Sequence, residues 1–317
     1  MFRLGVGRTL FMTRFALRRV GAILLIALAI VYFCALGLRM MRHPLSRATV
    51  GGLFELLWRA LLDTQAYIRN LLTGNLGLVG RAGERSRIGV PVATVLLDTY
   101  VKSVGLLVWA MLFASVLGVG LGALSAYWEG SPISLGLLTG SLLGISMPTF
   151  FIAVVLQVLE IKWYQRTGMR LVPVGGFGWD SHVVLPALVL ATRPLAQLAR
   201  ITSVSLSEAS HQDYVRTARA KGLPTSQVWS DHILPNAVVS VLTAMGVSTR
   251  FALGSLPVVE YFFGWPGLGA TLLDAIRARQ TNLVITSALA LGVTFMLVNL
   301  ALELSYRYLD PRLRDLA

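Results

Sequence analysis

Apolar runs of bilayer-spanning length recur along this chain and leave few folds open to it. They fall at 20–38, 103–127, 135–161, 183–205, 233–258 and 283–304, and a helix needs about 20 predominantly apolar residues to cross a hydrocarbon core. The expectation is an all-α polytopic membrane protein with about six transmembrane helices. Composition agrees, since 55% of the 317 residues are hydrophobic and only 14% charged, against roughly 45–50% and about 25% in soluble domains. Six crossings put both termini on one side.

The N-terminus carries Arg3, Arg8, Arg14, Arg18 and Arg19 with no acid before the first run. A secretory signal is the rival interpretation, but that run exceeds an h-region of about 7–15 residues and lacks a small-x-small cleavage site before Arg39. Residues 1–19 are read as a cytosolic basic N-terminus and 20–38 as the first transmembrane helix. Residues 39–102 then form an extracytoplasmic segment. In it Leu53, Leu57, Leu61, Ile68 and Leu72 recur near helical spacing among Arg59, Asp63 and Arg69, an amphipathic helix at the membrane surface or against the other helices. Residues 74–89 read as loop. The rest, 103–317, is a core of five transmembrane helices with a loop at 206–232 and a cytosolic C-terminal tail. Charge counting alone does not orient it, because the loops on the other side also carry Arg166, Arg170, Arg277 and Arg279.

A net charge of +13 raises nucleic acid as a partner, yet the basic residues are scattered between apolar spans and form no stripe. Anionic lipid headgroups and a partner protein account for it instead. Cys34, the single cysteine, rules out an intrachain disulfide or a cysteine metal cluster.

One polar stretch interrupts the apolar pattern between two spans: residues 213–235, DYVRTARAKGLPTSQVWSDHILP. Residues 214–221 can form a short helix exposing Arg216, Arg219 and Lys221, with Asp213 as N-cap and Gly222 as its left-handed stop. Ala218 and Ala220 leave surface for close approach, and Pro224 opens the next segment. A docking element is the functional interpretation; an ordinary charged loop is the bland one.

This stretch resembles the cytoplasmic coupling loop of ABC importer permeases, whose pattern runs Glu-Ala-Ala, three residues, Gly, nine residues, Ile, any residue, Leu-Pro. Ala218, Gly222, Leu234 and Pro235 stand in register, while Arg216, Thr217 and His232 replace the Glu, the first Ala and the Ile. The departures, with Asn236-Ala237, resemble the oligopeptide/dipeptide/nickel branch of binding-protein-dependent transporters. Similarity continues through Val259-Glu260, residues 263–269 (FGWPGLG), Arg279, Asn282, Asn299 and Asp310-Pro311-Arg312. It is looser at 74–77 (GNLG), Pro91-Val92 and 147–150 (MPTF).

The resemblance implies a type I ABC importer permease-like fold in a bacterial-type inner membrane, with both termini cytosolic and peptides as cargo. It implies ATPase coupling through Asp213, Tyr214, Arg216, Thr217, Ala218, Arg219, Ala220, Lys221, Gly222 and Leu223. It places an exterior gate at Glu260, Phe263, Trp265, Pro266 and Gly267, for which an interfacial aromatic anchor is the alternative. The implied partners are a second homologous permease, two cytoplasmic ATP-binding subunits, an extracytoplasmic substrate-binding protein and membrane lipids. Nickel or other metal chelates, glutathione and oligosaccharides are alternative cargoes.

The chain carries no phosphate loop ending in Gly-Lys-Ser/Thr, so ATP and Mg are expected on the partner ATPases and no cofactor here. His43, His182, His211 and His232 are too dispersed for a metal site, and neither a Gly-x-Ser-x-Gly elbow nor a His-Glu-x-x-His helix occurs. A membrane-embedded enzyme therefore lacks a catalytic constellation. Arg193 and Arg250 fall mid-span, where a charge costs roughly 2.5–3.5 kcal/mol, and are assigned to the translocation path; a subunit interface or snorkelling is the alternative. Glycines at intervals of four, Gly118 and Gly122, then Gly136, Gly140 and Gly144, make stripes for close helix approach. Met147-Pro148 and Arg193-Pro194 are expected to kink or break their helices.

Overall fold

The computed structural model describes residues 3–42, 50–79 and 89–309; the Asp310-Pro311-Arg312 motif and the side chains of Arg3, Arg8 and Arg14 lie outside what it describes. Among the described residues eleven α-helices run in order: α1 Arg3–Arg42, α2 Val50–Leu72, α3 Val92–Tyr127, α4 Pro132–Ser146, α5 Thr149–Thr167, α6 Val184–Ser210, α7 Asp213–Ala220, α8 Thr225–Val228, α9 Leu234–Phe263, α10 Leu268–Arg277 and α11 Thr281–Leu309. Extended pairing among the described residues is limited to the bridge between Leu78 and Pro91. The described residues pack as two compact units, those of 3–100 with 271–300, and those of 101–270 with 301–309.

In the first unit α2 lies against α1, fixed by the Arg39 guanidinium, which donates from Nε and Nη2 to the two Asp63 oxygens at 2.5 and 2.8 Å. Tyr67 Oη meets Thr286 Oγ1 at 2.9 Å beside Val31, Ala35 and Ile285. The packed face of α2 is Ala60, Thr64 and Tyr67, whereas Leu53, Leu57, Leu61 and Leu72 are exposed. The leucine stripe thus does not supply the helix contact. Ala60 and Thr64 do, because small residues allow close backbone approach, while Tyr67 reaches Thr286.

In the second unit α6 is the central helix. Gly118 and Gly122 of α3 lie on its backbone: a Cβ at Gly118 would stand 2.8 Å from the Leu195 carbonyl oxygen, and one at Gly122 would meet the Ala199 carbonyl and Thr202. Of the α4 glycines only Gly144 lies against α6, where a Cβ would stand 3.1 Å from Ala196 Cβ, while Gly136 and Gly140 face open space. Ser131 caps α4, accepting from Ser134 N at 3.2 Å ahead of Pro132. Hydroxyls of Ser125, Ser134 and Ser203 then link α3, α4 and α6 at 2.9 and 3.1 Å.

The two prolines behave differently. Met147 and Pro148 are extended, and α5 leaves α4 at 111°, since a residue before proline is driven out of the helical region. Of the kink or break expected at Arg193-Pro194, the break does not occur: α6 runs through a buried Pro194, as packed spans allow when neighbours support the freed backbone.

Five helical segments, Arg18–Met41, Val92–Tyr127, Ser181–Ser210, Thr225–Phe263 and Thr281–Leu304, are each long and apolar enough to cross a membrane. Side-chain contacts decide how the bent α4–α5 pair counts. Beyond α3, Ser207 Oγ donates to Glu129 at 2.5 Å, Ala126 packs with Val215, and the Tyr127 and Trp229 rings are 5.5 Å apart. At the far end of α5, Gln157 Nε2 donates to Val174 O at 2.8 Å and Phe262 O at 3.2 Å, and Glu160 accepts from Leu171 N at 2.9 Å. The pair therefore begins where α9 starts and finishes where α9 stops. It thereby stands as the sixth candidate span beside the five.

Candidate functional site

The polar stretch folds as a compact helix-turn-helix. Its first helix starts one residue earlier than expected, at Asp213, with extended Gln212 as N-cap and no side-chain capping bond; Asp213 is therefore not the N-cap. As the first helical residue its carboxylate still meets the positive end of the helix dipole, and it accepts from Arg216 Nη1 at 3.4 Å. Val215 and Ala218, three apart, point inward and pack with Leu206, Ala209, Val228, Ile233 and Ala237. Ala218 is thus part of the loop's own core and offers no outer surface. Arg216, Thr217, Arg219, Ala220 and Lys221 are exposed, as is Tyr214.

The exit from α7 is a Schellman turn: Gly222 N donates to Arg219 O at 3.0 Å and Leu223 N to Ala218 O at 3.4 Å, with Gly222 at φ +79°. Leu223 packs back onto the Ala218 cluster, closing the turn with an apolar contact. The histidines serve hydrogen bonds here: His211 Nδ1 pairs with Ser207 O at 2.8 Å and the His232 carbonyl accepts from Asn236 at 2.7 Å. The stretch is a compact packed element with a cationic outer face.

Residues 260–267 sit at the opposite end. The Glu260 side chain, fully buried, caps the N-terminus of α10, accepting from Gly269 N at 2.7 Å and Ala270 N at 3.0 Å. Ser103 Oγ donates to its other oxygen and accepts from Leu268 N at 2.7 Å. An acid suits a helix N-terminus, where free N–H groups converge. A Cβ at Gly267 would run into this carboxylate, which explains the glycine. Trp265, also fully buried, donates from Nε1 to Lys102 O at 3.1 Å and meets the rings of Phe177 and Trp179 edge-on at 4.8 and 5.5 Å. Phe263 is buried beside it and Pro266 half-buried, so Tyr261 and Phe262 are the exposed aromatics of the segment.

The two arginines grouped by sequence are not brought together. Arg193 Cζ lies 4.3 Å above the Phe251 ring and lines a cavity of about 450 Å³ with Ile145, Gln197, Arg200 and Ser205. Arg250 is outside that lining, half-buried, with a buried Nε lacking a hydrogen bond. Arg200 was passed over because it lies near the end of an expected span. Its spacing from Arg193 and Gln197, residues 193, 197 and 200 on one helical face, is the signal that could have found it.

Five apolar helices of membrane-spanning length, a bent pair that makes a sixth candidate span, and a polar helix-turn-helix between two of them describe a polytopic membrane protein. Residues 118–315 match the family of binding-protein-dependent transport system inner membrane components, and the chain belongs to that family. Its relatives include the dipeptide transport system permease protein DppB of Escherichia coli, 33% identical over 83% of either chain. The di/tripeptide permease DppB of Pseudomonas aeruginosa is 35% identical, covering 83% of this chain and 82% of its own. The DppB of Alkalihalophilus pseudofirmus is 32% identical over 83% of both. A crystal structure of an amino acid ABC transporter with histidines shares the fold, at 17% identity and a TM-score of 0.54, covering 68% of this chain and 94% of that one. The protein is thus a multi-pass inner-membrane ABC transporter permease, a non-catalytic component.

Proposed function

We propose that this chain forms half of the translocation path of an ATP-driven peptide importer, paired with a second homologous permease. Two cytoplasmic subunits bind ATP and Mg, and an extracytoplasmic binding protein delivers cargo. The named substrates of the relatives support peptide as the cargo. One observation carries the mechanism: α7 is anchored by Val215 and Ala218 while its cationic face stays exposed. A rigid helix so held transmits a push from docked motors into α6 and α9, which its core joins. In this reading residues 206–232 and both termini face the cytosol. The path runs along α6 and α9 past Arg193 and Arg250, and the assembly of Glu260, Phe263, Trp265, Pro266 and Gly267 closes its outer end.

The test is Gly222→Val in the reconstituted transporter. No atom lies within 4 Å of the position where a Cβ would stand, so the cost is backbone strain alone, about 1–2 kcal/mol for a left-handed L residue. Assembly is expected to persist while loaded binding protein no longer stimulates ATP hydrolysis and labelled dipeptide uptake stops. Wild-type stimulation in the variant would refute the coupling role.

A further inference from the structure

We infer that the cavity between α4, α6 and α9 recognises the C-terminal carboxylate of the translocating peptide, through Arg193 and Arg200 with Gln197 between them. The inference rests on the peptide-importer reading above.

Residues 193, 197 and 200 follow helical spacing and share one face of α6, a row of donors about 10 Å long at 1.5 Å rise per residue. The volume of about 450 Å³ falls within the roughly 300–1,000 Å³ of small-ligand sites. Among the described residues no carboxylate pairs with Arg193 or Arg200, and the Gln197 amide has no internal hydrogen bond. The Phe251 ring holds the Arg193 guanidinium by its face. That contact leaves the edge donors free.

An arginine so near the middle of a span is tolerated where water or an anion reaches it. The planar guanidinium fork matches a carboxylate bidentately. No acid lines the cavity, so a peptide amine finds no counterpart there. The site therefore selects a free C-terminus over an amidated one.

The test uses the assembled transporter in proteoliposomes, with Gln197→Cys on a Cys34→Ser background. Labelling of this chain by an anionic sulfonatoethyl thiosulfonate is compared with labelling by its cationic trimethylammonioethyl counterpart. The anionic reagent is expected to react preferentially, and Arg193→Gln with Arg200→Gln to erase the preference. In uptake, wild type should favour a dipeptide over its C-terminal amide by about tenfold or more, the ratio carried by one charge-assisted hydrogen bond. The double variant should bring that ratio near one by losing the free-acid peptide.

A cysteine at 197 that never reacts in any nucleotide state overturns the inference, as does labelling without charge preference. Equal loss of both peptides in the double variant overturns it too, because it marks the arginines as structural contacts to a partner subunit. Anion-selective labelling with no peptide uptake by wild type sinks the importer reading alone and supports the anion site.

Discussion

Glu260 is the residue that most organises its surroundings, because one buried carboxylate satisfies the first N–H groups of α10 and the hydroxyl of Ser103 together. Removing it strands those donors, and a buried unsatisfied donor costs about 1–3 kcal/mol. Glu260→Ala should therefore lower the thermal unfolding midpoint in detergent by several degrees, with partial recovery in Glu260→Gln, which keeps an acceptor and the volume. Unfolding can be followed through the free Cys34 with a thiol-reactive dye; an Ala variant that melts with wild type would dismiss the latch. The glutamate itself was visible in the sequence as part of a motif. Its partner was not, since Ser103 lies 157 residues away and nothing local marks a serine on an apolar helix as a ligand of a distant acid. The left-handed Gly222 was legible for the opposite reason: helix, glycine and following proline are neighbours in the chain.

Five candidate spans follow the apolar pattern as single helices, and the sixth, expected as one run at 135–161, is a bent pair broken at Met147-Pro148. Contacts between helices were less legible, because a glycine stripe announces a close approach without naming its partner. Gly118 and Gly122 found the α6 backbone, while at Gly136 and Gly140, at the same spacing, a Cβ would meet nothing within 4 Å among the described residues. The contrast makes a paired test. Gly118→Leu should destabilise the purified subunit by about 1–3 kcal/mol through overpacking against immovable carbonyls, whereas Gly136→Leu should leave its melting unchanged or raise it slightly through better helix propensity. Equal shifts for the two would mean that the α3–α6 approach is not tight. Proline signals were likewise decided by support: α4 had none at Met147 and turned through 111°, whereas α6 was held on both sides of Pro194.

At the scale of the whole molecule the consequence of the bent pair is topological. If α4 and α5 together cross once, Glu129 and Arg216 lie on one face of the membrane and Leu171 on the other; a re-entrant pair would group Glu129 with Leu171. The hydrogen bonds from Gln157 to Phe262 O and from Leu171 N to Glu160, at the end of α9 away from α7, favour the first arrangement. Composition cannot decide it, because arginines flank the spans at both ends, Arg18 and Arg19 at one, Arg166 and Arg170 at the other, and the positive-inside bias is correspondingly weak. Single cysteines at 129, 171 and 216 on a Cys34→Ser background settle both questions with a membrane-impermeant thiol reagent. Positions 129 and 216 should label only in inside-out vesicles and position 171 only in right-side-out ones. Labelling of 129 together with 171 would break the six-span count. If 129 and 216 instead react together from the outside, the spans stand but the platform faces away from the ATPases, and the proposed coupling falls.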